Sequence, residues 1–328
     1  MECVDAAKAI AIIAIVVGHT ICIDEIPYVH ATINSFHVPA FFIIAGFFVR
    51  DMGLKSAMRK YAGQYLWPYL VTCVMVCVVG LARAAFKGGD AVCAWLSEVS
   101  LSALCGSGLQ TNVLWGKMPT IGAIWFLLAL FWAKSIVSVS LRSMRQLEAV
   151  SLTVAVYCVG VVASRYILLP WSMLSGMEAA LLVMVGYLMR RYEILERAYA
   201  MRWFVWVTLV TVCVGNIALN NYVSMVRGYM GVNVVGVFCS IVETIGLICL
   251  CHRFKIRMAW TGANTLYILC AHLVTMPLSK MLYEKVLHGS QSVGLVFVEL
   301  VAVNLIMAYA LAWVMRRYGV LRCPWGAK

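Results

Sequence analysis

Apolar residues fill stretches of 14 to 23 positions along this chain, and each stretch is closed by a short break rich in Lys, Arg, Gly or Pro. A helix that crosses a bilayer needs about 20 mostly apolar residues. The pattern therefore predicts ten spans: 6–23, 36–49, 64–82, 119–140, 148–163, 168–189, 203–219, 232–251, 261–281 and 293–315. An outer-membrane barrel is excluded, since its strands would alternate apolar and polar residues over roughly ten positions. The expected fold is all-α, a polytopic membrane helix bundle of about ten transmembrane helices, built as one domain over residues 1–328 with no soluble appended domain. The first run shows no small-x-small cleavage pattern around Gly18-His19-Thr20-Ile21-Cys22 and is read as a retained helix. The longest connection, 83–118, is expected to dip back into the membrane or to lie on it as a short amphipathic helix. Internal repeats and the inverted pairing of Gly/Pro-broken helices typical of many secondary transporters are both absent.

Composition narrows the picture further. With 63% of its 328 residues hydrophobic and only 12% charged, the chain has too much apolar surface for a soluble domain or a disordered one. A net charge of +12 would suggest nucleic acid in a soluble protein; here it reports topology, and no nucleic-acid partner is expected. One alternate set of connections holds 17 Lys and Arg and the other seven. Positive residues favour the cytoplasmic side, so both termini are expected there, in a multi-pass inner-membrane protein. Most of the 13 Cys sit inside apolar runs, where a thiol packs as a small hydrophobe. Neither Cys249-Leu-Cys251-His252 nor Cys73/Cys77 has a second ligand pair at matching spacing, so no metal is expected.

Ionisable side chains within a span are costly and tend to mark a pathway or a reaction site. Asp5, Lys8 and His19 lie on the first span, with Lys8 and His19 eleven residues apart. At roughly 100° per residue both face within about 20° of one direction, about 16 Å apart along the axis. Asp5 and Lys8 can meet as an i,i+3 pair, or simply anchor the helix end by snorkelling. His37, in Phe36-His37-Val38-Pro39-Ala40-Phe41-Phe42, is expected at the outer entrance of the second span, with Pro39 in a first helical turn. A short outer loop would then let His19 and His37 share one cavity. His272 falls at a depth similar to His19. Glu178, Glu243, Glu299 and Lys134 also fall inside spans, and are expected to pair with Lys or Arg or to line a wet cavity. His272, Trp125, Asn264 and Glu243 are the candidate substrate contacts; Trp125 reads equally well as a packing or interface anchor.

Imidazole alternates between base and acid near neutral pH, with an unperturbed pKa of about 6.5. It is suited to taking a proton from a hydroxyl, and a water-poor site would protect an activated acyl donor from hydrolysis. Acyl transfer to an alcohol is the chemistry these residues fit. Nucleophile-elbow, Walker, Rossmann and HExxH patterns are absent. The alternative is a proton-coupled transporter or flippase of an envelope sugar precursor, using the intramembrane His, Glu and Lys as a relay.

The opening Asp5-Ala-Ala-Lys8 followed ten positions later by His19, then Phe36-His37-x-Pro39-x-Phe41-Phe42-x-x-x-Gly46, resembles integral membrane acyltransferase family 3, the group that includes fucose 4-O-acetylase-like O-acetyltransferases of cell-envelope glycans. Trp67-Pro68-Tyr69, Trp125-Phe126-Leu127 and Gly262-x-Asn264-Thr265-Leu266 ending at His272 agree less specifically. The resemblance implies cytoplasmic acyl-CoA, commonly acetyl-CoA, as a co-substrate with no permanently bound cofactor. It also implies a glycan or lipid-linked sugar acceptor on the other side of the bilayer. By the same resemblance His19 is the essential histidine, Lys8 its basic partner, and His37 part of the second motif. The chain departs from the family's pattern in having Lys8 where Arg is frequent, Ala45 where Ser is, Thr265 where Ser is usual, and Leu269 where Tyr is common.

Overall fold

Lipid offers backbone groups no hydrogen bonds, so spanning segments must satisfy their own, and this chain does so with helices. The computed structural model describes residues 2–20, 27–86, 88–108, 111–113, 116–167, 169–219, 223, 234–283 and 293–324. Lys87, Arg227, Lys285 and Lys328, counted above for topology, lie outside them, as do Ile21 and Cys22. The helices are α1 (Glu2–Thr20), α2 (Pro27–Gly46), α3 (Leu54–Tyr61), α4 (Trp67–Ala85), α5 (Gly89–Cys105), α6 (Trp125–Ser143), α7 (Gln146–Ala163), α8 (Met173–Arg191), α9 (Ile194–Tyr199), α10 (Trp203–Ala218), α11 (Val234–Arg253), α12 (Ala259–Ala263), α13 (Thr265–Leu282) and α14 (Val293–Arg317). A short hairpin, β1 (Thr111–Val113) and β2 (Gly116–Met118), is the departure from an all-helical chain among the described residues. Among the described residues, nine helical segments are long and apolar enough to cross a membrane, and Trp203–Ala218 is a shorter apolar helix. The protein is a polytopic helical membrane bundle.

Burial orders the bundle. Of the apolar window in α6, 78% is buried, against 17% in α14, so α6 is central and α14 peripheral. Helices α2 and α8 cross where Gly46 meets Gly186: a Cβ on Gly46 would lie 2.9 Å from the Gly186 Cα. Small residues allow such close backbone approach in membranes. One end of the bundle gathers the start of α1, the ends of α2, α6, α8 and α11, and α12. There Arg190 donates to Phe47 O at 2.6 Å, Met52 N to Ser138 O at 3.2 Å, and Arg257 pairs with Glu2 at 3.2 Å. We call this the terminal end, because α1 begins here and the later part of α14 reaches it through Tyr309 and Thr261, 3.2 Å apart.

Three boundaries differ from the expectation. The second span begins nine residues earlier than position 36, at Pro27. Polar residues in its first turns suggested a loop, but they bond back along the helix: Thr32 Oγ1 to Tyr28 O, Asn34 Nδ2 to His30 O and Ser35 Oγ to Thr32 O, all at 2.8–2.9 Å. His37 and Pro39 consequently lie inside α2, not at its entrance or in its first turn. Pro39 has no N–H for the Ser35 carbonyl four residues back; Ser240 Oγ, from α11, donates to that carbonyl instead at 2.9 Å.

The third span starts at Leu54 and runs to Ala85 as one helical rod, with a π-helical stretch at Ala62–Leu66. Pro68 follows directly and cannot bond to the Gln64 carbonyl, so the wider turn absorbs the proline. Connection 83–118 forms α5, whose Trp95 packs against Gly80 and donates to Cys77 O at 3.1 Å.

Candidate active site

A cavity of about 240 Å³ opens in the terminal half of the bundle. Its walls come from five elements: Lys8, Ile12 and Ile15 of α1; Phe41 and Ala45 of α2; Gln64 and Tyr65 of the π segment; Phe126 and Lys134 of α6; Thr265 and Leu269 of α13. Lys8 and Asp5 form a salt bridge at 2.7 Å. They are partly exposed, so the pair orients the lysine more than it stabilises the fold. Gly262 explains how α12 comes so close to this charged turn: a Cβ there would lie 2.8 Å from the Asp5 Cα.

One helical turn beyond Ile15 on α1, and three residues beyond Leu269 on α13, stand His19 and His272. Their rings stack with centroids 5.5 Å apart and planes inclined by 26°. His19 keeps accessible surface beside the buried His272. His272 is 2% exposed, and neither ring nitrogen meets hydrogen-bond geometry with a described residue, although the Ile268 and Leu269 carbonyls lie nearest. A buried polar group in that condition is costly, and a ligand hydroxyl could satisfy it.

His37 and His30 lie within electrostatic range of His19. The His37 Nδ1 is 2.5 Å from Ile33 O. A carbonyl only accepts, so Nδ1 carries the proton and Nε2 is left as the acceptor.

The His19 end of α1 is held by a polar network that sequence reasoning missed. Asn304 of α14 accepts from Ser279 Oγ of α13 and donates to Thr20 Oγ1 at 2.9 Å; Thr20 in turn bonds Val16 O at 2.8 Å. Asn304→Leu removes the two hydrogen bonds that tie α14 to Thr20 and Ser279, which keep Val16 O and Met276 O as acceptors, and is expected to cost about 1–3 kcal/mol at roughly 0.5–1.5 kcal/mol for each bond. Thermal unfolding of the detergent-solubilised variant measures it.

The candidate contacts divide. The structure pairs Asp5 with Lys8 and stacks His272 on His19, with His37 in electrostatic range of His19; of these Lys8 lines the cavity, and neither His19 nor His37, expected to share one, is among its walls. Trp125 is 3% exposed, packs against Gly108 and meets Phe126 edge-on, the surroundings of a packing anchor, and it is not among the walls of this cavity. Asn264 donates to Trp260 O at 2.5 Å at the α12–α13 break, a positioning contact. Glu243 lies beside Ser35, Cys213 and Cys239, away from the cavity lining. Glu299 accepts from Tyr283 at 3.0 Å.

His30, Tyr61 and Tyr65 were not singled out. Their signals were spacings: His37 follows His30 by seven positions and Tyr65 follows Tyr61 by four, each one face of a helix. Among the described residues, no group of three or more His, Cys, Asp or Glu could hold a metal ion.

No curated protein and no solved structure matches the chain. The family described as an acyltransferase domain, acyltransferase family 3, matches residues 1–317. That match spans the helices that carry His19, His37 and His272 and every wall of the cavity, and the chain belongs to this acyltransferase family.

Proposed function

We propose that this acyltransferase takes its acyl group, an acetyl group by the resemblance above, from acyl-CoA entering at the terminal end, and transfers it to a hydroxyl of a glycan or lipid-linked sugar at the opposite end. The observation that carries this reading is the alignment of the cavity with the histidine pair: it runs from Lys8 to Ile15 and Leu269 and stops one turn short of His19 and His272. The loops at the terminal end carry most of the Lys and Arg, which supports a cytoplasmic placement of that end.

In this reading His19 accepts the proton of the acceptor hydroxyl as its oxygen attacks the thioester carbonyl. The new C–O bond forms, the C–S bond breaks, and the same proton passes to the departing thiolate. His272 holds the His19 ring by stacking and offers an unpartnered nitrogen to the acceptor. Lys8, oriented by Asp5, faces the donor.

Sealed inside-out and right-side-out vesicles test the arrangement. Labelled acetyl-CoA supplied to the terminal-end face is expected to label envelope glycan, whereas supply to the other face is expected to label none. A transporter or flippase would leave the glycan unlabelled in both preparations.

A further inference from the structure

The cavity contains a cation that its own surroundings do not neutralise. Lys134, midway along α6, is 3% exposed and lines the cavity. Its Nζ lies 3.3 Å from Tyr65 Oη, and 5.0 and 5.7 Å from the ring centres of Tyr61 and Tyr65. Tyr61 is fixed in turn by Ser138, 2.8 Å from its hydroxyl. Lys8, the other lysine in the cavity, is already paired with Asp5; among the described residues no carboxylate lies within ion-pairing distance of Lys134.

Two ring faces stabilise an ammonium without discharging it, and a buried charge normally requires an opposite one. A ligand anion entering the cavity would supply that partner. Lys8, which shares this cavity, stands about 16 Å from His19 by helix rise. That separation is comparable to the reach of an extended pantetheine arm from phosphate to sulfur.

We propose that Lys134, framed by Tyr61 and Tyr65, binds the phosphate that adjoins the pantetheine arm of coenzyme A, inside the bundle rather than at its surface loops. This rests on the acyl-CoA reading above and names the residue that recognises the donor. An acceptor-side or reaction-centre role for Lys134 is a different claim, and the two are separable.

The test is binding of coenzyme A and of pantetheine, which lacks the phosphate, to the full-length protein in nanodiscs. Lys134→Met is expected to weaken coenzyme A binding roughly 10- to 100-fold, the range of a charged hydrogen bond, and to leave pantetheine binding unchanged. Lys134→Arg keeps the charge and is expected to retain most of the affinity. Equal weakening of both probes, no change in either, or a wild-type protein that fails to bind coenzyme A overturns the proposal. Transfer of labelled acetyl groups is scored in the same preparations. Lys134-dependent coenzyme A binding without any transfer counts against the acyltransfer reading and leaves the anion site standing.

Discussion

His19→Ala is expected to lower acyl transfer by roughly 10²- to 10⁴-fold, the contribution of a positioned general acid–base group, while the protein still inserts and folds. The fold should survive because His19 is accessible, so its removal opens no void in the packed core, and alanine is the best helix former. Incorporation of labelled acetyl groups into glycan, normalised to protein in the membrane, measures the first part; thermal unfolding in detergent measures the second. A variant that transfers at the wild-type rate would take His19 out of the chemistry. A variant that loses activity only in proportion to folded protein would make it a packing residue.

Gly186→Leu is expected to destabilise the bundle by about 3 kcal/mol or more, at the upper end of overpacking effects. The reason is that its side chain would enter the backbone of α2 rather than a yielding side chain. The Cβ alone would fall on Ile43 O and within 3.1 Å of the Gly46 Cα. The helices would have to separate, and with them the Phe41 and Ala45 wall of the cavity. Loss of monodisperse protein after detergent extraction reports this. Ala at the same position should fall between, since its Cβ makes the same backbone collision without the rest of the side chain.

The bundle was legible because hydropathy at helix length is a strong signal: ten spans were expected, and the described residues give nine of that length and one shorter apolar helix in the same order, with the second and third starting nine and ten residues early. What could not be read was where polar residues are satisfied. The first turns of α2 looked like loop because Thr32, Asn34 and Ser35 are polar; they answer their own helix instead. Pro39 looked like a helix start because proline is favoured in a first turn; it is tolerated inside α2 because the Ser35 carbonyl it leaves without a donor is answered by Ser240, 205 positions further along the chain.

The candidate site divides along the same line. Asp5, Lys8 and His19 lie on one helix, where spacing alone fixes their relative positions. His272 was a suggestive depth without a partner, and its stacking on His19 depends on the α1–α13 packing. Glu243 was drawn into the site by depth, yet depth does not say which way a helix face points, and α11 turns it toward Ser35 and Cys213. Lys134 showed as an oddity whose surroundings come from residues 61–65, far away in sequence.

The stretch Ala62–Leu66 carries one last implication. A π turn is an α-helix holding one extra residue, so this rod is sensitive to length as well as to composition. Shortening the chain by a single amino acid at Gly63 would let the turn close to ordinary α-helix with both flanks facing as before, whereas adding one there would overfill the turn, leave α4 seated in the membrane and spin everything before it by about 100°. Tyr61 would swing off Lys134 and Ser138, although no residue touching either had been changed. The binding chamber is thus assembled by a count of residues, a property that no side-chain substitution would expose.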